Sequence, residues 1–136
     1  MAQTALAVGA TAALLATAAP AASAAPTARN GVCELGEFCL YYGADATGSV
    51  SDFDGSIANY GSTQPSCYDF KSPGAGQGQC VKNNARSAWN NTTAHVVKVY
   101  FNSNYGGSNV TYNPGGKGNL GSLTLENASQ LFEWVS

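Results

Sequence analysis

The sequence predicts an all-β sandwich or barrel, a single domain folded from two similar halves. Three observations carry that expectation. The apolar runs are short: Phe38 to Tyr42, Val96 to Phe101, Val110 to Tyr112 and Leu131 to Val135. Within the second run, Val97, Val99 and Phe101 alternate with Val96, Lys98 and Tyr100, the period-two pattern of a half-buried strand. Between the runs stand turn formers such as Gly106-Gly107 and Pro114-Gly115-Gly116. Short strands with frequent turns build sandwiches and barrels.

The first two dozen residues stand apart from that pattern. Thr4 to Ala19 is an uncharged run of Ala, Leu, Val, Gly and Thr, followed by Pro20 and the A-x-A triplet Ala22-Ser23-Ala24. This reads as a secretory signal peptide, residues 1–24, cleaved after Ala24. The run is too weakly apolar for a comfortable membrane span. Met1 to Thr4 carries no Lys or Arg, unlike the basic start such signals usually have, so a start further upstream is expected. Residues 25–30 are expected to form a flexible leader, and residues 31–136 the domain. The product would be extracellular, with nothing to hold it in a membrane.

The two halves are about 33–91 and about 92–135. Leu40-Tyr41-Tyr42-Gly43 to Gly48 and Val99-Tyr100-Phe101-Asn102 to Gly107 share an outline: a strand end, a polar tip, then glycine. A folded hairpin needs a backbone position with positive φ, which glycine supplies at little steric cost. Tyr105, two residues before Gly107, is placed to cover the fold of its hairpin, whereas Ala46 stands at that place in the first copy. A second pair of segments follows in the same order, Asn83-Asn84-Ala85-Arg86-Ser87-Ala88-Trp89 and Glu126-Asn127-Ala128-Ser129-Gln130-Leu131-Phe132. In this register Gln130 takes the place of Ser87. Two units are too few for a solenoid, so duplication within one domain is the reading.

Four cysteines, Cys33, Cys39, Cys67 and Cys80, fall in the first half. An even number in a small secreted domain argues for two disulfides. Of three possible pairings, Cys33–Cys39 with Cys67–Cys80 is preferred because each closes a short local loop. Zinc is disfavoured: there is no C-x-x-C spacing, and the sole histidine, His95, is distant.

The tip Tyr100-x4-Tyr105-x-Gly107 together with Asn83-Asn84-x-x-Ser87 resembles the βγ-crystallin Greek-key pattern. The secretion signal, the opening Cys33-Glu34-Leu35-Gly36-Glu37-Phe38-Cys39-Leu40-Tyr41 and the segment Asn83 to Asn90 resemble more closely the secreted Streptomyces-type metalloproteinase inhibitor family. The resemblance covers nearly the whole of the chain after the signal. It implies a βγ-crystallin-like Greek-key sandwich of two motifs and inhibition of secreted peptidases. In that family's type member the disulfide-bounded reactive loop belongs to the second motif, whereas Cys67 and Cys80 lie in the first, so no reactive site carries over.

Chemistry-bearing residues are sparse. No nucleophile-elbow pattern accompanies His95, no phosphate-cradling glycine loop is present, and Glu34 and Glu37 read as a solvated turn. An enzyme is therefore not expected. Six basic against eight acidic residues, without a basic cluster, argue against nucleic acid.

For inhibition the candidate is the loop between Cys67 and Cys80, because a staple fixes its shape before binding. Tyr68 or Phe70 would enter an apolar specificity pocket, and Lys71 a basic-specific one. The expected partner is an extracellular peptidase, bound by a monomer that requires no cofactor. The alternative is a βγ-crystallin-type binding or defence protein, an antimicrobial toxin or a weak Ca²⁺ binder. Asn83, Asn84 and Ser87 match the oxygen-donor segment of Ca²⁺-binding βγ-crystallins. Ala88 replaces that segment's final serine, and Tyr42 and Phe101 stand where an acidic residue often follows the first-strand aromatic. Trp89, Phe132 and Trp134 are expected in the core.

Overall fold

The structure, a computed structural model, describes residues 28–136; the signal-peptide assignment to residues 1–24 lies outside the described residues. The strands are β1 (Glu37–Tyr41), β2 (Val50–Phe53), β3 (Ser87–Asn91), β4 (His95–Asn102), β5 (Gly106–Tyr112), β6 (Lys117–Asn119) and β7 (Ser129–Trp134), with one 3-10 turn at Gly121–Leu123. They form two antiparallel sheets, ordered β2-β1-β3-β6 and β5-β4-β7.

Each sheet borrows from the other half. Strand β6 of the second half pairs with β3, Ser87 opposite Asn119 and Trp89 opposite Lys117. In return Ile57 of the first half reaches the second sheet, exchanging two backbone bonds of 2.9 Å with Gln130. The result is a sandwich of two interleaved Greek keys. Neither sheet is complete without a segment of the other half, which makes the halves one domain.

The alternation in β4 holds over its first part: Val97 and Val99 are buried, while Lys98 meets Glu133 at 3.0 Å; Phe101, next in the buried phase, is 44% exposed where the register shifts between Tyr100 and Asn102. Phe38, Leu40, Phe53, Tyr60, Phe70, Val81, Leu120 and Leu123 complete the core, each side chain contributing roughly 1.5–3 kcal/mol by leaving water. The Tyr60 hydroxyl donates to Gln130 Oε1 at 2.9 Å, and Gln130 Nε2 donates to Gly55 O. Burial pushes the Tyr60 phenol well above its ordinary pKa, so it stays a donor. The tryptophans do not fill the core. Trp134 is 76% exposed and lies against His95, ring centroids 4.1 Å apart. Trp89 is half-buried, with the Lys117 ammonium 4.4 Å over its ring. Only Phe132 packs against the core, from its edge.

The two hairpin corners have the same backbone. Asp45, Ala46 and Gly48 have φ of 57°, 58° and 77°; Asn104, Tyr105 and Gly107 have 60°, 61° and 78°. Each corner is latched by one serine. Ser87 Oγ donates to Gly43 O at 2.6 Å and accepts from Ala46 N–H at 2.8 Å. Ser129 Oγ donates to Asn102 O at 2.7 Å and accepts from Tyr105 N–H at 3.1 Å. This corrects the register of the duplication by one residue: Ser129, not Gln130, is the counterpart of Ser87. Leu125 (φ 62°) is then the counterpart of Asn83 (φ 61°). Matching asparagines had set the wrong alignment; the latch depends on a hydroxyl and on the backbone.

Tyr105 packs edge-on to Tyr100, with centroids 6.1 Å apart. The first corner has no such aromatic, and the loop after Cys67 covers it instead. Ser49 N–H donates to Ala75 O at 2.9 Å, and a side chain at Gly76 would collide with the Tyr42 ring.

Candidate functional site

The loop between Cys67 and Cys80 is closed by a disulfide joining those two residues. It is stitched down rather than extended. Tyr68 N–H donates to Tyr60 O, Val81 N–H to Tyr68 O, Phe70 N–H to Gln79 O and Lys71 N–H to Val50 O, all at 2.8–3.0 Å. Ser72 Oγ accepts the Val50 N–H at 2.8 Å. These bonds fix the fate of the three candidate contact residues. Phe70 is 1% exposed, its ring edge-on to Tyr42 inside the core, so the expectation that it enters a specificity pocket is corrected: it holds the loop to the sandwich. Tyr68 is 36% exposed. Lys71 is exposed, with its ammonium 2.7 Å from Asp69 Oδ1. Only Tyr68 and Lys71 remain available at the surface.

The second disulfide joins Cys33 to Cys39 and closes a shorter loop at the start of β1. Glu37 N–H donates to Glu34 O at 3.1 Å, forming a β-turn with Leu35 and Gly36 in the middle. Gly36 has φ +99°, the left-handed third position of a type II turn that favours glycine. The turn is held from four sides. Gly36 N–H donates to Asn91 O at 2.8 Å, Glu34 N–H to Glu37 Oε2 at 2.8 Å, Asn91 Nδ2 to Cys33 O at 3.3 Å, and Asn30 Nδ2 to Glu34 Oε1. Glu37 is thus a buried acceptor rather than half of a solvated pair, and burial raises its carboxyl above the ordinary value.

Arg29 to Gly31 tie the two loops together. Arg29 donates to Ser51 Oγ (2.6 Å), Asp52 O (2.9 Å) and Asp69 O (2.7 Å). Its guanidinium stacks 4.4 Å from the Phe53 ring and 5.2 Å from that of Tyr68. Burial lowers the Arg29 pKa, and Asp52 and Asp69 oppose that shift. The buried Asp52 carboxylate accepts Asn30 N–H at 2.9 Å and Gly31 N–H at 2.7 Å. A Cβ on Gly31 would lie 3.1 Å from Ser72 N, so this segment runs directly against the second loop. The expected flexible leader over 25–30 therefore does not extend to Arg29 and Asn30.

The three expected Ca²⁺ donors are held in different ways. Calcium takes roughly six to eight oxygens around one point. Ser87 is buried with its hydroxyl committed to the first corner, while Asn84 Nδ2 donates to Cys80 O at 2.8 Å. Asn83 lines a surface depression with Asn102, Ser103, Leu125 and Glu126. Lys82 lines it too, and its ammonium donates to Asn59 Oδ1 at 3.1 Å and Ser103 Oγ at 3.2 Å. A cation there would meet the Lys82 ammonium as well as the Glu126 carboxylate. Among the described residues no three of His, Cys, Asp and Glu gather as a metal site, and no helix is long and apolar enough to cross a membrane.

Sequence reasoning missed Val32, Leu35 and Arg29. Leu-Gly inside a six-residue cysteine spacing is a legible turn signal that raises Leu35 to the tip; nothing in the sequence marks Arg29 as half-buried and bonded to the domain.

Two interleaved Greek keys with latched corners define a βγ-crystallin fold. Solved structures agree. A chain described as "Evolution of the eye lens beta-gamma-crystallin domain fold" superposes with a TM-score of 0.59 at 12% identity, over 78% of this chain and 96% of that one. The N-terminal domain of protein S gives 0.51 at 19% identity, over 73% and 97%. Such identities speak for the fold alone. Within that fold, residues 26–112 match the model of peptidase inhibitor family I36, more than half of the chain, and the protein belongs to that family. No curated protein matches the chain. Family membership makes it an inhibitor of peptidases rather than an enzyme.

Proposed function

We propose that the protein is secreted and inhibits an extracellular metallopeptidase, seating the stapled surface of its first half against the enzyme's cleft. One observation carries this reading. The Cys67–Cys80 loop is closed by a disulfide and bonded through its backbone to Val50 and Tyr60, yet leaves Tyr68, Lys71 and Pro73 to Ala75 at the surface. A surface ordered in advance loses little conformational freedom on binding, so more of its contact energy appears as affinity. The same staple keeps the two ends of the loop together if a peptide bond within it is cut, which opposes release as product. No cofactor enters this mechanism, and a monomer suffices for it.

The test is a titration of the purified protein against thermolysin-like, subtilisin-like and papain-like enzymes. Saturable inhibition of the first class is expected. Inhibition confined to the other two would remove the metallopeptidase assignment, and no inhibition of any would remove the reading itself.

A further inference from the structure

We propose that the turn between Cys33 and Cys39 presents the specificity residue: Leu35, supported by Val32, enters an apolar subsite of the target peptidase. The inference rests on the peptidase-inhibitor reading and deepens it. A lone exposed leucine needs no explanation. Here Leu35 is 69% exposed and Val32, three residues earlier, is 55% exposed, and both belong to a tightly restrained segment. A disulfide closes it, and backbone and side-chain bonds from Asn91, Glu37 and Asn30 hold it. Gly36 at φ +99° turns the backbone so that Leu35 stands at the tip.

The position fits the partner. Asn30 and Gly31 are bound to the buried Asp52 carboxylate, and Gly31 abuts Lys71 and Ser72. The turn thus emerges beside the Cys67–Cys80 loop, whose own candidate apolar residue, Phe70, is withdrawn into the core. Tyr68 is partly covered by Arg29. The first loop therefore supplies the free aliphatic side chain that the second lacks. The contact is one of side-chain insertion: a β-turn is not the extended backbone of a substrate strand, so the turn offers a side chain on a fixed base rather than a scissile bond. A few residues seated in well-packed, desolvated pockets dominate interface energetics; Trp, Tyr and Arg fill that role more often than Leu, and truncating whichever residue fills it typically costs tens of fold in affinity.

The experiment measures inhibition constants of the full protein and of Leu35→Ala, Leu35→Asp and Leu35→Met against the peptidase that the unaltered protein inhibits best. Tyr68→Ala and Phe101→Ala are measured alongside. Leu35→Ala is expected to weaken inhibition by about 30-fold, Leu35→Asp by more, and Leu35→Met by no more than a few fold. Phe101→Ala, an exposed aromatic on the second half, should change nothing, and the melting temperatures of the Leu35 variants should stay level. Unchanged inhibition by Leu35→Ala and Leu35→Asp would overturn this inference and leave the inhibitor reading standing. So would a loss seen only with Tyr68→Ala. Failure of the unaltered protein to inhibit any peptidase would overturn both.

Discussion

The two Greek keys share a corner geometry and divide the work unequally. In the second, β4 and β5 run long, with one register shift between Tyr100 and Asn102, the corner is covered by its own Tyr105, and the third strand β6 pairs with the opposite sheet. In the first, β1 and β2 are short, the third strand is reduced to the single bridge at Ile57, and a long connection fills the space before β3. Both disulfides lie in that half, as does the half-buried Arg29–Asp52–Asp69 cluster. Covalent and polar cross-links there stand in for the missing ladder. The difference teaches where function can sit: the half that gave up regular strands gained two rigid, irregular loops at its surface.

The largest difference in cost is expected inside the second loop. Phe70→Ala should destabilise the fold by about 3–5 kcal/mol, the usual cost of truncating a buried phenylalanine, whereas Tyr68→Ala should cost less than about 1 kcal/mol. Urea melts of the two variants decide it. Equal costs would mean that the loop is not packed through Phe70.

Next come the staples. In the chain-entropy model, Cys67→Ser with Cys80→Ser should cost about 3 kcal/mol and Cys33→Ser with Cys39→Ser about 2.4 kcal/mol. Thermal melting checks both, and losses near zero would show that the hydrogen bonds alone order the loops.

Smaller effects test the likeness of the halves. Ser87→Ala and Ser129→Ala each strand a carbonyl and an N–H at a corner, and each should cost about 1–3 kcal/mol. Similar values are expected because the two latches have the same partners; a large cost at one and none at the other would undo the register drawn here. Smallest of all, millimolar Ca²⁺ should leave the melting temperature unchanged, since the Lys82 ammonium lies among the oxygens of the depression that Asn83 lines. A clear upward shift would contradict that.

Much of this architecture was legible in the sequence for physical reasons. The alternation in Val96 to Phe101 has a period that only a strand satisfies, and glycines at Gly48 and Gly107 mark the positive φ of each corner. The burial of Phe70 was not legible, because a loop bounded by cysteines gives no periodicity from which to read which side faces inward. The Ser87–Ser129 correspondence was hidden because the latch uses a hydroxyl and two backbone groups, while neighbouring asparagines offered a tempting false match. Arg29 was missed for a similar reason: its partners Ser51, Asp52 and Asp69 are far away in sequence, and a charged residue near the end of a loose-looking segment gives no sign of burial.

The central claim is that the first half, with its two stapled loops, is the face that meets the peptidase. Amide hydrogen exchange on the inhibitor, free and bound to the peptidase it inhibits best, tests this directly. New protection is expected in residues 31–36 and 68–79, with the corner at 102–107 and the end of β7 unchanged. Protection confined to the second half, around Phe101 to Tyr105 or Trp134, would contradict it.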